Sequence, residues 1–215
     1  MLLPFFDLTS SAQYVADLLR EAEPKFASLS ITGSYADKLA SQVQQHLPDL
    51  EIKQGEQQAD VVFSFDIVHT LPAAERAQYV KRIAALAKRE AVIAAPLGTE
   101  LQTTIYRSLE KLALELKLSS PEELALALRH GIPTPQDAAS WAHGFTDLDL
   151  FYAGDVAYFQ EMATQFLYKS AQSPLRRALM TLTSTHATSP AEMPLPPETV
   201  PMRRHRRLFL ILRKR

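Results

Sequence analysis

Asp66 and His69 stand three residues apart, just after the apolar run Val61-Val62-Phe63-Ser64-Phe65. A histidine of ordinary basicity, with a pKa near ~6.5, suits proton transfer from a hydroxyl or an amine around neutrality. Asp66 ends what reads as a strand buried on both faces, where parallel sheets hold ligands. Thr32-Gly33-Ser34 is a second candidate stretch, a turn between a strand and a helix. The plain alternatives are a strand-ending carboxylate, a structural or solvated histidine and an ordinary turn glycine.

The elements that must position these residues are legible from periodicity. Ala59 to Gly98 reads as strand, helix and strand: the run through Phe65, then Ala73 to Lys88 with Tyr79, Val80, Ile83, Leu86 and Ala87 on one helical face, then Ala91-Val92-Ile93-Ala94-Ala95, stopped by Pro96 and Gly98. That is a parallel crossover unit, and its ligand-facing ends are 66–70 and 96–99. Upstream, Gln13 to Glu23 predicts a helix, Phe26 to Ile31 a first strand, Tyr35 to His46 a helix and Leu50 to Ile52 a short strand. Downstream, Leu101 to Leu118 predicts a helix. Pro121 to His130 predicts another, with proline and glutamates early and Arg129-His130 then Gly131 late. Pro135 to Ala142 reads as a short helix, Leu148 to Tyr152 as a strand and Asp155 to Tyr168 as a helix.

Thr181 to Pro201 holds five prolines among serine and threonine and reads as an exposed loop. Leu208 to Leu212 (LFLIL) reads as a last strand between the basic clusters 203–207 and 213–215. Such flanks suit an exposed sheet edge that must not pair with other chains, or a surface for phosphate-rich polymers.

The chain has 215 residues, a formal charge of -1, and 47% hydrophobic and 22% charged residues, the balance of an ordinary globular protein with one main domain. The near-zero charge argues against nucleic acid as a partner. With no cysteine, disulfides, thiolate nucleophiles and cysteine-ligated metals are excluded. His46, His130, His143, His186 and His205 show no ligand spacing, so no metal is expected. No apolar run reaches the ~18–20 residues of a membrane span and no signal peptide is evident, so a cytoplasmic location is expected. Trp141, Phe145 and Phe151 are candidates to line a pocket, or simply core. There is no phosphate-cradling glycine loop of the Walker type and no serine nucleophile elbow.

Several strings resemble the class I S-adenosylmethionine-dependent methyltransferases, in particular bacterial methyltransferase-like domains found with surface-polysaccharide genes. Tyr14-Val15-Ala16-Asp17-Leu18-Leu19 resembles the family's helix before the first strand. Asp60 to Pro72 (DVVFSFDIVHTLP), with Glu75-Arg76, resembles its fourth strand and exit, and Ala94-Ala95-Pro96-Leu97-Gly98 the end of its fifth. Leu128-Arg129-His130-Gly131-Ile132-Pro133 resembles a later phrase. The similarity spans about 13–166.

There are departures. One glycine, Gly33, stands where two or three are expected, with Tyr35 beside it. No acidic residue ends the second strand, since Glu51 lies within it and Glu56 a loop beyond. Between Ile52 and Ala59 there is hardly room for a third strand, and His69-Thr70 replaces a Glu-His pair.

The resemblance implies an α/β fold with a shortened, doubly wound, mostly parallel Rossmann-like sheet in a single domain, 1–215. Residues 13–100 would form the core, 101–170 a helical cap over 101–143 and later elements, 181–201 the exposed loop and 202–215 the last strand with its basic flanks. It implies S-adenosylmethionine as cofactor, held by Thr32, Gly33, Ser34 and Asp66, with His69 as the catalytic base. Methyl transfer to an oxygen or nitrogen of a small or saccharide-like acceptor would follow. The alternative is a methyltransferase-like scaffold that has lost the cofactor and binds a protein partner.

Overall fold

The computed structural model describes residues 8–22, 25–142, 145, 147–172 and 198–214. Of the expected exposed loop, only 198–201 fall among them.

Helix α1 (Leu8–Glu21) leads into strand β1 (Ser28–Gly33), α2 (Ala36–His46), β2 (Glu51–Gln54) and β3 (Ala59–Phe65). A turn of 3-10 helix (Val68–Thr70) precedes α3 (Ala73–Leu86) and β4 (Ala87–Pro96). Then come α4 (Glu100–Glu115), α5 (Glu122–His130), α6 (Pro135–Trp141), β5 (Asp147–Asp155), α7 (Val156–Ala171) and β6 (His205–Arg213).

The six strands form one sheet in the order β2-β1-β3-β4-β6-β5. The first four are parallel, and β6 runs antiparallel to both β4 and β5. From β1 the chain moves outward to β2 and then crosses to β3 on the other side, so the topological switch lies between β1 and β3. The expected shortening is present: only 55–58 separate β2 from β3, and Gly55, at φ 86°, makes the turn that a side chain there would strain.

The two faces of the sheet are covered differently. Val61, Phe63, Phe65, Val92, Ala94, Phe209 and Ile211 face α1 and α2. Val62, Ile93, Ala95, Leu208, Leu210 and Leu212 face α3 and α6. This alternation is the period-two geometry of a strand, so each run of consecutive apolar residues serves both layers. The helices of the expected cap divide: α6 joins α3 on the sheet, while α4, α5 and α7 pack on one another through Ile105, Leu109, Leu124, Ala127, Phe159 and Leu167. Thr99 caps α4 by accepting the Gln102 N–H at 3.0 Å, and Asp155 caps α7 by accepting the Ala157 N–H at 2.7 Å. Thr134 and Asp137 close a reciprocal capping box at the start of α6.

One expectation is overturned. β6 is not an exposed edge but lies between β4 and β5, and Arg206 and Arg207 are buried rather than guarding an open flank. The apolar run Leu208 to Leu212 is fully buried on both faces, each large side chain contributing about 2 kcal/mol of transfer energy. That gain places the strand inside the sheet and takes its two arginines with it. No helix among the described residues is long and apolar enough to cross a membrane.

Candidate functional site at the sheet switch point

The carboxyl ends of β1 and β3 meet at the switch. Gly33 pairs with Phe65 and has φ 120°, a backbone state open mainly to glycine. A β-carbon on it would lie 1.8 Å from the Phe65 carbonyl oxygen, so glycine is what lets β1 approach β3 here. Two non-glycine residues beside it also take left-handed backbone: Tyr35 at φ 62°, entering α2, and Asp66 at φ 53°, leaving β3. Asp tolerates this state and Tyr rarely adopts it, and such conformations concentrate at functional sites. The Asp66 N–H still donates to the Ala94 carbonyl at 3.1 Å, after which the chain turns sharply out of the sheet.

That turn brings the Asp66 carboxylate to Arg207. Nη1 lies 2.7 Å from Oδ1 and Nη2 3.0 Å from Oδ2, a two-pronged pair in which Arg207 is 1% and Asp66 7% exposed. The guanidinium lies 4.3 Å over the Phe65 ring. Arg206, next along β6, lies 3.9 Å over the ring of Phe159 in α7.

Glu123 of α5 closes over the same place. Burial, reinforced by the Asp66 charge, pushes its carboxyl up to about 7, while a hydrogen bond from Ser34 and the charges of Arg206 and Arg207 pull the other way. Its Oε1 has no hydrogen-bond partner among the described residues. Tyr35 is raised by burial and by the charges of Glu123 and Asp66. Arg76 of α3 sets the position of α5: it donates to the Leu71 carbonyl at 3.1 Å, to His130 at 2.9 Å and to Gly131 at 2.5 Å.

His69, in the 3-10 turn, is 2% exposed. Burial lowers its pKa to about 4 against the raising effect of Asp66, with Arg207, Arg76 and Arg206 lowering it further, so the ring is neutral at pH 7. Its Nδ1 has no partner among the described residues, and neither has Glu123 Oε1. Buried polar atoms are normally satisfied, so orphans at a sheet's ligand edge mark a polar site.

Of the residues read from the sequence, Gly33, Ser34, Asp66 and His69 belong to this region. Thr32 is buried within β1, paired with Ser64 of β3. Trp141 and Phe145 pack on the α3 face of the sheet and Phe151 on the α1 face, so the three line no common pocket. His143 and His186 lie outside the described residues, and among those described no three His, Asp or Glu side chains group as metal ligands would. Arg207, Glu123, Arg206 and Arg76 were not legible as site residues. The one hint is that Arg206-Arg207 run directly into LFLIL with no turn residue between.

The residues can be tested against an S-adenosyl donor. A carboxylate and a guanidinium side by side complement the ammonium and carboxylate of an amino acid, and the orphaned polar atoms around them fit a polar guest. The ribose end is served less well. β2 ends in Gln54, Glu51 faces Lys53 at 3.6 Å, and Glu56 is engaged by Arg82 at 2.9 Å. The fit is therefore to the amino-acid half.

The fold is that of the Rossmann-like methyltransferases. The plantazolicin methyltransferase BpumL, solved with SAH and a monoazolic desmethylPZN analogue, superposes with a TM-score of 0.52 over 97% of this chain and 84% of its own, at 10% identity. A Nostoc punctiforme PCC 73102 protein provisionally assigned as an O-methyltransferase matches with a TM-score of 0.49 at 14% identity over 96% of this chain and 56% of its own. An O-methyltransferase family protein from Burkholderia thailandensis matches with a TM-score of 0.40 at 16% identity, over 61% of this chain and 50% of its own. This chain thus spans about half the length of those last two. No protein-family profile and no curated protein sequence matches it.

Proposed function

We propose that this protein is an S-adenosylmethionine-dependent methyltransferase-like protein whose donor site is the switch point between β1 and β3. The observation that supports this best is the meeting there of Gly33, the left-handed Asp66 and a buried set of charged groups, at the one place where a doubly wound sheet opens a crevice. Bound there, S-adenosylmethionine would supply an electrophilic methyl group on sulfur. The chain's own part is to hold and orient. Ser34 and the backbone about Gly33 would line the turn, Thr32 would support it from within β1, and Asp66 would meet the amino group.

Such a displacement depends mainly on alignment of acceptor and methyl, with a base needed only where the acceptor must lose a proton. His69 is neutral at pH 7 and so able to accept one, but its depressed basicity makes it a weak base. An acceptor whose proton leaves easily, or positioning alone, suits it best. A small or saccharide-like acceptor is the proposed class, in keeping with the sequence resemblance to methyltransferase-like domains found with surface-polysaccharide genes.

The second reading is a scaffold that no longer takes the donor. It rests on the single glycine of the turn and on the pairing of Arg207 with Asp66. Isothermal titration with S-adenosylmethionine and SAH, on the native protein and on Asp66→Asn, separates the two. Micromolar binding weakened by the substitution supports the donor site. No heat and no thermal shift at millimolar ligand, from folded protein, leaves the scaffold.

A further inference from the structure

Resting on that donor-site reading, we infer that Arg207 and Asp66 form an exchangeable ion pair that reads the zwitterionic end of an S-adenosyl ligand. On binding, Arg207 takes the ligand carboxylate and Asp66 its ammonium. Each charge then keeps an opposite partner throughout, and two buried charges are never left bare. The pair has the form needed for this. Nη1 donates to Oδ1 and Nη2 to Oδ2, the same planar fork that would grip a ligand carboxylate.

Three further observations argue for a polar guest at this point rather than a permanently sealed pair. The Arg207 guanidinium carbon lies 4.3 Å from the centre of the Phe65 ring, a contact the arginine can keep while it changes partner. His69 and Glu123 lie within reach of the charges of both members of the pair, and His69 Nδ1 and Glu123 Oε1 have no hydrogen-bond partner among the described residues. The turn above it, Gly33 to Tyr35, is only half-buried and offers a way in. A purely structural pair would require none of these.

The test uses ligands that differ only at the amino-acid end, titrated calorimetrically into the full-length protein. They are SAH, its decarboxylated analogue, which keeps the amine alone, and 5′-methylthioadenosine, which lacks both groups. The native protein is expected to bind SAH at least tenfold more tightly than the decarboxylated analogue. Arg207→Gln should remove that preference while leaving the affinity for 5′-methylthioadenosine unchanged, and Arg207→Lys, which keeps the charge without the fork, should fall between. Equal affinity of the native protein for all three ligands would overturn the exchange while sparing the adenosyl site. Binding of none would overturn both. Should Arg207→Gln fail to fold, the ligand series on the native protein still decides.

Discussion

The carbonyl oxygen of Phe65 is seated so closely against Gly33 that a β-carbon there would stand 1.8 Å from it. The two residues are paired in neighbouring parallel strands at the switch point, and the contact sets the separation of β1 from β3. Gly33→Ala must push the strands apart or bend β1, and its φ of 120° adds backbone strain. A loss of about 2–3 kcal/mol is expected, lowering the melting temperature by roughly 5–10 °C for a chain of this size. Gly55→Ala is the control, because nothing lies within 4 Å of its would-be β-carbon. It should lose only about 1 kcal/mol, from its positive φ. Equal losses at the two positions would show that the close approach is unimportant.

Removing one member of the Asp66–Arg207 pair leaves the other charge buried. Asp66→Leu and Arg207→Met should each cost about 3–5 kcal/mol in urea unfolding, and the double variant with both substitutions clearly less than their sum. Strict additivity in the double-mutant cycle would mean that the two groups do not sense each other in solution.

Stability should respond to pH in two opposing ways. Glu123 ionises in the folded protein at about 7 instead of the usual carboxyl value, facing Asp66, Ser34, Tyr35, Arg206 and Arg207. Its raised value costs nothing below the unfolded pKa and destabilises the fold progressively as pH rises through the folded one, by about 3 kcal/mol in all. His69, facing Asp66, Arg207, Arg76 and Arg206, is held neutral down to about 4. Its contribution is present above its unfolded pKa and is lost as pH falls from about 6.5 towards 4. Denaturant midpoints measured from pH 4 to 8 should show Glu123→Gln flattening the neutral limb and His69→Gln the acid limb. An unchanged neutral limb in Glu123→Gln would place the titration elsewhere.

Arg76 joins α3 to the end of α5 through three carbonyl oxygens while almost wholly buried. Arg76→Met should cost about 2–3 kcal/mol. Amide hydrogen exchange should quicken across 122–131 while β3 and β4 stay protected. If exchange rises uniformly over the chain, Arg76 supports the whole fold and not the placement of Glu123.

Asp60, whose carboxylate accepts the N–H groups of Ala27 at 2.8 Å and Ser28 at 3.1 Å, ties β3 to the start of β1. Burial raises its pKa, but those two bonds and Lys88 hold the net value below that of an ordinary aspartate. Its stabilisation is therefore present above the unfolded pKa and fades as pH falls through the lower folded value. Asp60→Asn should show a shallower acid limb than the native protein below pH 4.

The sequence by itself determined most of the elements. Runs such as Val61 to Phe65, the helical faces of Tyr79, Val80 and Ile83, and the punctuation by Pro96, Pro121 and Gly131 are local signals, read within one or two turns of chain. The crossover unit and the places of Gly33 and Asp66 at strand ends followed from them, and the shortness of the link between β2 and β3 stood out against the family resemblance. What Asp66 meets was not local. Only the antiparallel entry of β6 between β4 and β5 brings Arg207 to it across 141 positions, turning an apparent guard of the sheet edge into a buried partner. The basicity of His69 and Glu123, and the placing of Trp141 and Phe151 on opposite faces, depend likewise on what distant segments pack around them. Hydrophobic period is written along the chain, but the burial and charge around a side chain exist only once remote elements have closed over it.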